Sequence, residues 1–289
     1  MLTRRTLLKQ AALLTGMSIS GRGFTKTAPV KTKLHIGACD WSIGKSSDIG
    51  AFEVAKTIGL EGIQVNLGSE ANDLHLRQRE RQRAYLEESS KTGVKITSLA
   101  IGELNKIPYK SDPRTDEWVW DSVDVAHNLD VPVVLLAFFA NNDLRGDDRG
   151  KQEVVRKLKE VAPRAEKMNV ILGIESYLTA EEHMDIIDQV GSKSIKVYYD
   201  FRNSADAGND VIKEIQWLGR DAICELHMKE NGFLLGQGTM DWRKIAETLT
   251  EMKYRGDGWM QIEGARPQGA DIVESYKHNL HFLQNLFHT

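Results

Sequence analysis

Between residues 171 and 263, four short apolar runs each end in a side chain able to ligate a metal. Ile171-Leu172-Gly173-Ile174 runs into Glu175, and Ile195-Lys196-Val197-Tyr198-Tyr199 runs into Asp200. Ala222-Ile223-Cys224-Glu225-Leu226 runs into His227, and Trp259-Met260-Gln261-Ile262 runs into Glu263. Helically patterned stretches separate these runs, so the order is strand, helix, strand, helix, and such strands run parallel. Upstream the alternation continues, with strands expected near residues 34–39, 62–67, 95–101 and 131–139. The last of these is apolar throughout, as a strand buried on both faces should be. That makes eight strand–helix units with no linker or low-complexity break. The chain has 289 residues, and one barrel of this kind takes about 250. The expected fold is therefore α/β, a single (β/α)8 TIM barrel over residues 31–289.

Residues 1–30 read differently. Thr3-Arg4-Arg5-Thr6-Leu7-Leu8-Lys9 precedes a modest apolar run from Ala11 to Ile19. A basic segment followed by a short apolar one is an export signal, well under the ~20 residues a membrane span requires. The paired arginines resemble a bacterial twin-arginine signal. The expectation is a disordered leader and an exported, periplasmic protein with no stable membrane span. The formal charge is −3, and loss of Arg4, Arg5, Lys9, Arg22 and Lys26 would take it to −8. An acidic body opposes nucleic acid as a partner. Cys39 and Cys224 fall on the first and seventh strands, which are not neighbours, so they read as buried small hydrophobes.

Carboxyl-terminal strand ends of a parallel barrel converge on one mouth. Glu175, Asp200, His227 and Glu263 would meet there as an oxygen-rich site for one divalent ion. Each alone has another reading: a glutamate in a surface loop, an aspartate capping a turn, a satisfied core histidine. With these four facing inward, alternation puts Gly173, Tyr198, Glu225 and Gln261 one layer below. A carboxylate buried at Glu225 then needs a partner, either Gln261 on the adjacent strand or a role beside His227. Other polar residues expected at the mouth are Asp40, Trp41, Asn66, Glu103, Tyr177, Lys229 and Arg266. Trp41 could stack on a ligand ring or simply pack beneath the first loop. The glycine-containing stretch 231–238 follows strand seven, where barrels often bind phosphate, but it has no clear basic partner and reads as an ordinary loop.

With these stretches in hand, the sequence resembles the xylose isomerase-like TIM-barrel superfamily, in its sugar phosphate isomerase/epimerase (D-tagatose 3-epimerase-like) branch. The stretches that carry the resemblance are Gly173-Ile174-Glu175, Tyr199-Asp200-Phe201-Arg202-Asn203, Leu226-His227-Met228-Lys229-Glu230, Gly236-Gln237-Gly238-Thr239-Met240-Asp241-Trp242 and Gln261-Ile262-Glu263. The resemblance implies that Glu175, Asp200, His227 and Glu263 hold Mn, Co, Mg or Zn, and that Glu175 and Glu263 exchange protons with a small-molecule sugar or glycoside. Trp41, Asn203, Lys229 and Arg266 would contact that substrate. Removing a proton beside a carbonyl makes an enediolate, whose negative oxygen a divalent cation stabilises. Carboxylates on opposite faces would then epimerise the carbon, and return of the proton to its neighbour would isomerise the sugar.

Asn203 departs from the pattern, because the epimerases commonly carry a histidine there and an amide cannot supply a proton. Some exported relatives act instead on 3-keto-glycosides, eliminating the aglycone with the same metal and base. That makes a 3-keto-glycoside lyase or hydrolase the alternative function. An endonuclease-like phosphodiesterase would need several more strand-end histidines, whereas His75, His127, His183, His278, His281 and His288 fall in helices or the tail. A non-catalytic sugar-binding barrel would not need both Glu175 and Glu263.

Overall fold

The computed structural model describes residues 34–288, so the expected leader, residues 1–30, lies outside the described residues. Within them, eight parallel strands close into one barrel in chain order: β1 (His35–Cys39), β2 (Gly62–Asn66), β3 (Lys95–Ile101), β4 (Val133–Phe138), β5 (Ile171–Ser176), β6 (Ile195–Asp200), β7 (Ile223–Lys229) and β8 (Trp259–Glu263). β1 pairs with β8 through Ile36↔Met260 and Gly37↔Gln261, which closes the ring. Among the described residues no helix is long and apolar enough to cross a membrane.

Alternation along β4 shows how the apolar run is spent. Val134, Leu136 and Phe138 join the large core between strands and helices. Val133, Leu135 and Ala137 join a smaller cluster with Ala100, Tyr198 and Cys224 inside the ring. Burying both faces of each strand supplies about 25 cal/mol for each Å² of apolar surface removed from water, which is why parallel strands of this kind carry so few polar residues. Cys39 and Cys224 are both buried and free.

Helices follow the strands largely where periodicity puts them, at Ala51–Ile58, Arg79–Thr92, Arg114–Leu129, Asp148–Met168, Ala180–Val190, Val211–Leu218, Trp242–Glu251 and Ile272–His288. Several differences have local causes. The helix after β2 does not start until Arg79, because Asp73 and Leu74 adopt left-handed conformations that break the turn and short 3-10 turns occupy Glu70–Asn72 and His75–Arg77. The charged loop after β4 is short, since Asp147 accepts a bond from the Gly150 N–H and starts the next helix at Asp148. That helix continues through Pro163 to Met168. A short helix, Phe201–Asp206, follows β6 directly.

Candidate metal centre and its cavity

The four strand-end side chains meet. Glu175, Asp200, His227 and Glu263 each present one ligand atom, all within 4.8 Å of one another. They come from β5, β6, β7 and β8, whose carboxyl ends share the same rim. His227 Nδ1 lies 3.0 Å from Glu175 Oε1, 3.6 Å from Glu263 Oε2 and 3.9 Å from Asp200 Oδ2. Asp200 does two jobs. Its Oδ1 caps the helix that follows by accepting the Asn203 N–H at 2.8 Å, while Oδ2 is buried and accepts no hydrogen bond. The capping role weighed from sequence is therefore real, and it coexists with membership of the cluster.

The charges of the set suit a dication. Three carboxylates face one ammonium, Lys229, whose Nζ lies 2.8 Å from Glu263 Oε2 and 3.6 Å from Asp200 Oδ2. Fully ionised, with His227 neutral, the three carboxylates would carry two negative charges beyond Lys229 in a largely buried cluster, where unpaired charge is unfavourable. Burial pushes Asp200 up to about 8, with Glu263 and Glu175 adding to the rise against the pull of Lys229. For Glu263 burial acts the same way, but Lys229 and then His227 outweigh it and hold the carboxyl at about 2. Burial draws the His227 imidazole down, and the charges of Glu175, Glu263 and Asp200 more than reverse that. The orphaned Asp200 oxygen, the two-charge deficit and the oxygen-rich donor set together fit a divalent ion.

Below the cluster lies the polar layer expected from strand parity. Gln261 Nε2 donates to Glu225 Oε1 at 2.6 Å and to Thr97 Oγ1 at 2.8 Å, and Ser98 Oγ donates to the same Glu225 oxygen at 3.0 Å. Gly37 makes room for this amide, since a Cβ there would stand 2.4 Å from Gln261 Oε1. Sequence reasoning missed Gln64 on β2. Its Oε1 accepts from His227 Nε2 at 2.9 Å and from Cys39 Sγ at 3.3 Å, while its Nε2 donates to Tyr198 Oη at 3.1 Å. The available signal was one polar side chain in the run Gly62-Ile63-Gln64-Val65.

A cavity of about 500 Å³ opens above the cluster, within the usual range for small-molecule sites. Trp41, Asn203 and Lys229 line it, together with Glu175, Glu263 and Tyr177. Trp41 Nε1 donates to Glu263 Oε1 at 2.8 Å, and Asn203 Nδ2 donates to Glu175 Oε1 at 3.4 Å. Arg266 is a correction: it does not line the cavity, and its Nη1 donates to the Ala270 carbonyl at 2.5 Å. The turn 264–270 folds back on itself, and that carbonyl captures the guanidinium. Asp40 is also withdrawn from the mouth, because its Oδ2 accepts the Ser47 and Asn66 N–H groups and braces the first loop against β2.

Known proteins resemble this chain over the same barrel. Residues 52–286 match the family described as xylose isomerase-like TIM barrel. D-psicose 3-epimerase of Enterocloster bolteae is 31% identical over 133 residues, which spans 43% of this chain and only 43% of that relative. A 2-epi-5-epi-valiolone 7-phosphate 2-epimerase of Actinoplanes sp. is 23% identical over 230 residues, 76% of this chain and 82% of the relative. Among solved structures, a D-psicose 3-epimerase in the presence of D-fructose superposes with a TM-score of 0.75 at 16% identity, covering 89% of this chain and 100% of its own. The 3-keto-D-glucoside 4-epimerase of E. coli, in apo form, gives 0.72 at 15% identity, covering 88% and 100%. At such identities the structural matches speak for the fold.

Proposed function

The chain belongs to the xylose isomerase-like TIM-barrel family, and from that premise we propose that it is a divalent-metal-dependent sugar epimerase or isomerase working by proton transfer next to a carbonyl. The observation that carries this reading is the gathering of Glu175, Asp200, His227 and Glu263 within 4.8 Å beneath an open cavity. Glu175, Asp200, His227 and Glu263 would hold the ion, which supplies positive charge beside the oxygen of the carbon that loses its proton.

The remaining work falls to this chain's own groups. Glu263 is held ionised and oriented, with Trp41 on one oxygen and Lys229 on the other. Glu175 takes the second position, steadied by the Asn203 amide. One carboxylate removes the proton from the substrate carbon, and the other returns a proton to the opposite face of that carbon or to its neighbour. Lys229 keeps an ammonium beside both Asp200 and Glu263, which holds Glu263 ionised and works against the rise that burial imposes on Asp200. The names of the epimerase relatives support this class of reaction.

A second reading is favoured by Asn203, which lines the cavity without a proton to give. On a 3-keto-glycoside, abstraction of the proton beside the ketone would leave an electron pair that forms a C=C bond and expels the glycosidic oxygen, which takes up the abstracted proton or one from water, so that the aglycone departs as an alcohol and no proton returns to carbon. Export through the twin-arginine route belongs to the same proposal and suits a protein folded with its ion before transport.

The test is solvent-deuterium incorporation into a panel of ketoses and 3-keto-glycosides by the ion-loaded protein. Glu175→Gln and Glu263→Gln should each lower exchange by roughly 10²-fold or more. Full exchange in either variant would overturn the proton-transfer assignment. Aglycone release would select the lyase reading, and exchange without release the epimerase.

A further inference from the structure

Building on the proton-transfer reading, we infer that the substrate is an unphosphorylated disaccharide-type glycoside, whose second sugar unit sits on the side-chain amides of Asn66, Asn72 and Asn105. These three line the same cavity as the acid–histidine cluster, but on the far side of the mouth. Asn66 ends β2, Asn72 lies in the 3-10 turn after it, and Asn105 lies in the 3-10 turn after β3. The cluster comes from β5 to β8, so the cavity runs across the barrel mouth from the reacting groups to these amides.

The orientation of the amides is what makes this a site. Each carboxamide oxygen is already committed to the backbone. Asn66 Oδ1 accepts the Gly68 N–H at 3.1 Å, Asn72 Oδ1 accepts the N–H groups of Ser69 at 2.8 Å and His75 at 3.4 Å, and Asn105 Oδ1 accepts the Phe139 N–H at 3.0 Å. Among the described residues none of the three NH₂ groups donates to the protein. Three fixed donors with no internal acceptor are suited to a ligand rich in hydroxyl and ring oxygens. Phe139 and Tyr177 stand beside them as an edge-on aromatic pair with centroids 4.8 Å apart, which offers an apolar wall to the C–H face of a sugar ring.

At a water's share of volume for each heavy atom, ~30 Å³, a hexose of about 12 such atoms takes roughly 360 Å³. The cavity of about 500 Å³ holds that ring with room over, and by the same measure a second ring is only partly enclosed. A phosphate, by contrast, would find the nearby cations already paired, Arg145 being stacked on the Tyr177 ring and bonded to Asp143. Lys229 is the one cationic residue among those lining the cavity, and it is held by Glu263 and Asp200. The loop after β7, a common phosphate position in barrels, is already satisfied from within. Glu230 accepts from the Met240 N–H at 2.9 Å, the Gly236 N–H at 3.2 Å and Trp242 Nε1 at 2.7 Å. A carboxylate occupies the place an anionic ligand would need.

The experiment compares a 3-keto-disaccharide, the methyl 3-keto-glycoside and a ketose phosphate as substrates for deuterium exchange by the ion-loaded protein. In parallel, calorimetry measures binding of the unoxidised disaccharide and of the methyl glycoside. We expect the disaccharide to exceed the methyl glycoside by at least about ten-fold in kcat/KM, with the gain in KM, and to bind correspondingly tighter. Asn72→Asp and Asn105→Asp keep the oxygen that holds the backbone and remove the NH₂. Each should shrink the disaccharide-to-methyl ratio by roughly 2–10-fold, the worth of one hydrogen bond. A ratio near one in the wild type, a ratio unmoved by both variants, or preference for the phosphate would overturn the inference. Preferential disaccharide binding without exchange on any substrate would leave the second-sugar site standing and remove the proton-transfer reading instead.

Discussion

Gln64 Oε1 lies 2.9 Å from His227 Nε2, across 163 residues of sequence. A carbonyl oxygen only accepts, so the imidazole carries a hydrogen on Nε2, and Nδ1 is the nitrogen left facing Glu175, Asp200 and Glu263, where it would bind an ion. Such partners of metal-binding histidines fix tautomer and ring orientation. The Gln64 amide is itself oriented by Tyr198, which accepts from its NH₂.

Gln64→Leu should therefore weaken divalent-ion binding by roughly 10–100-fold while leaving the barrel folded. Competition with a chelator of known affinity measures the first, and circular dichroism the second. Unchanged ion affinity in a folded Gln64→Leu protein would mean that His227 is held by other means.

Gln261 and Glu225 form the next layer, joined at 2.6 Å. Gln261→Met leaves a fully buried carboxyl with Ser98 Oγ and the neighbouring Asp257 carboxyl as partners, and should destabilise the protein by about 1–3 kcal/mol. Adding Glu225→Leu removes the stranded group and should restore a large part of that loss. Urea midpoints of the two single variants and the double variant check it. Additive losses would show that the pair does not act as a unit.

His183 predicts an acid limit to stability. It is buried, and burial is the main reason its imidazole falls to about 4 from an ordinary 6.5. Nε2 meets Ser176 Oγ at 2.9 Å, and Nδ1 meets the Thr179 carbonyl at 3.0 Å. Above pH 6.5 neither the folded nor the unfolded chain protonates this ring, so its contribution is complete. Between 6.5 and 4 the unfolded chain binds a proton that the folded chain refuses, and stability falls as pH falls, by up to about 3 kcal/mol. Replacing His183 by glutamine should flatten this part of the pH profile in urea titrations. A wild-type slope that survives in the variant would assign the acid sensitivity elsewhere.

Export can be tested apart from the chemistry. Replacing Arg4 and Arg5 together by lysine should leave most of the protein in the cytoplasm if a twin-arginine signal directs it. Fractionation of expressing cells reads the result, and undiminished export of the double variant would exclude that route.

Much of the fold was legible because its cause is local. The strand Lys95–Ile101 falls where the apolar alternation puts it, and β6 and β8 end on the aspartate and glutamate that close their apolar runs. Parity along β7 and β8 was enough to expect Glu225 beside Gln261, because side chains two apart on a strand share a face. The start of the helix at Arg79 was not legible, since two residues in left-handed conformations decide it and Asp73 and Leu74 carry no obligatory signal for them. Arg266 was misplaced for a related reason: a long flexible side chain near a mouth can turn to whichever acceptor its loop provides, and here the loop supplies Ala270.

The pattern of apolar runs, their spacing and the charged side chains at their ends determined by themselves that this protein is a parallel barrel with four ligand-type groups on one rim. That much follows from periodicity and the direction of the chain. Only the tertiary structure decided that Gln64 supports His227, that Glu230 fills the loop after β7, and that three asparagine amides face the cavity. Those contacts depend on how the strands stagger as the ring closes and on which rotamer each side chain takes against distant neighbours. Neither quantity is written in any local stretch of sequence.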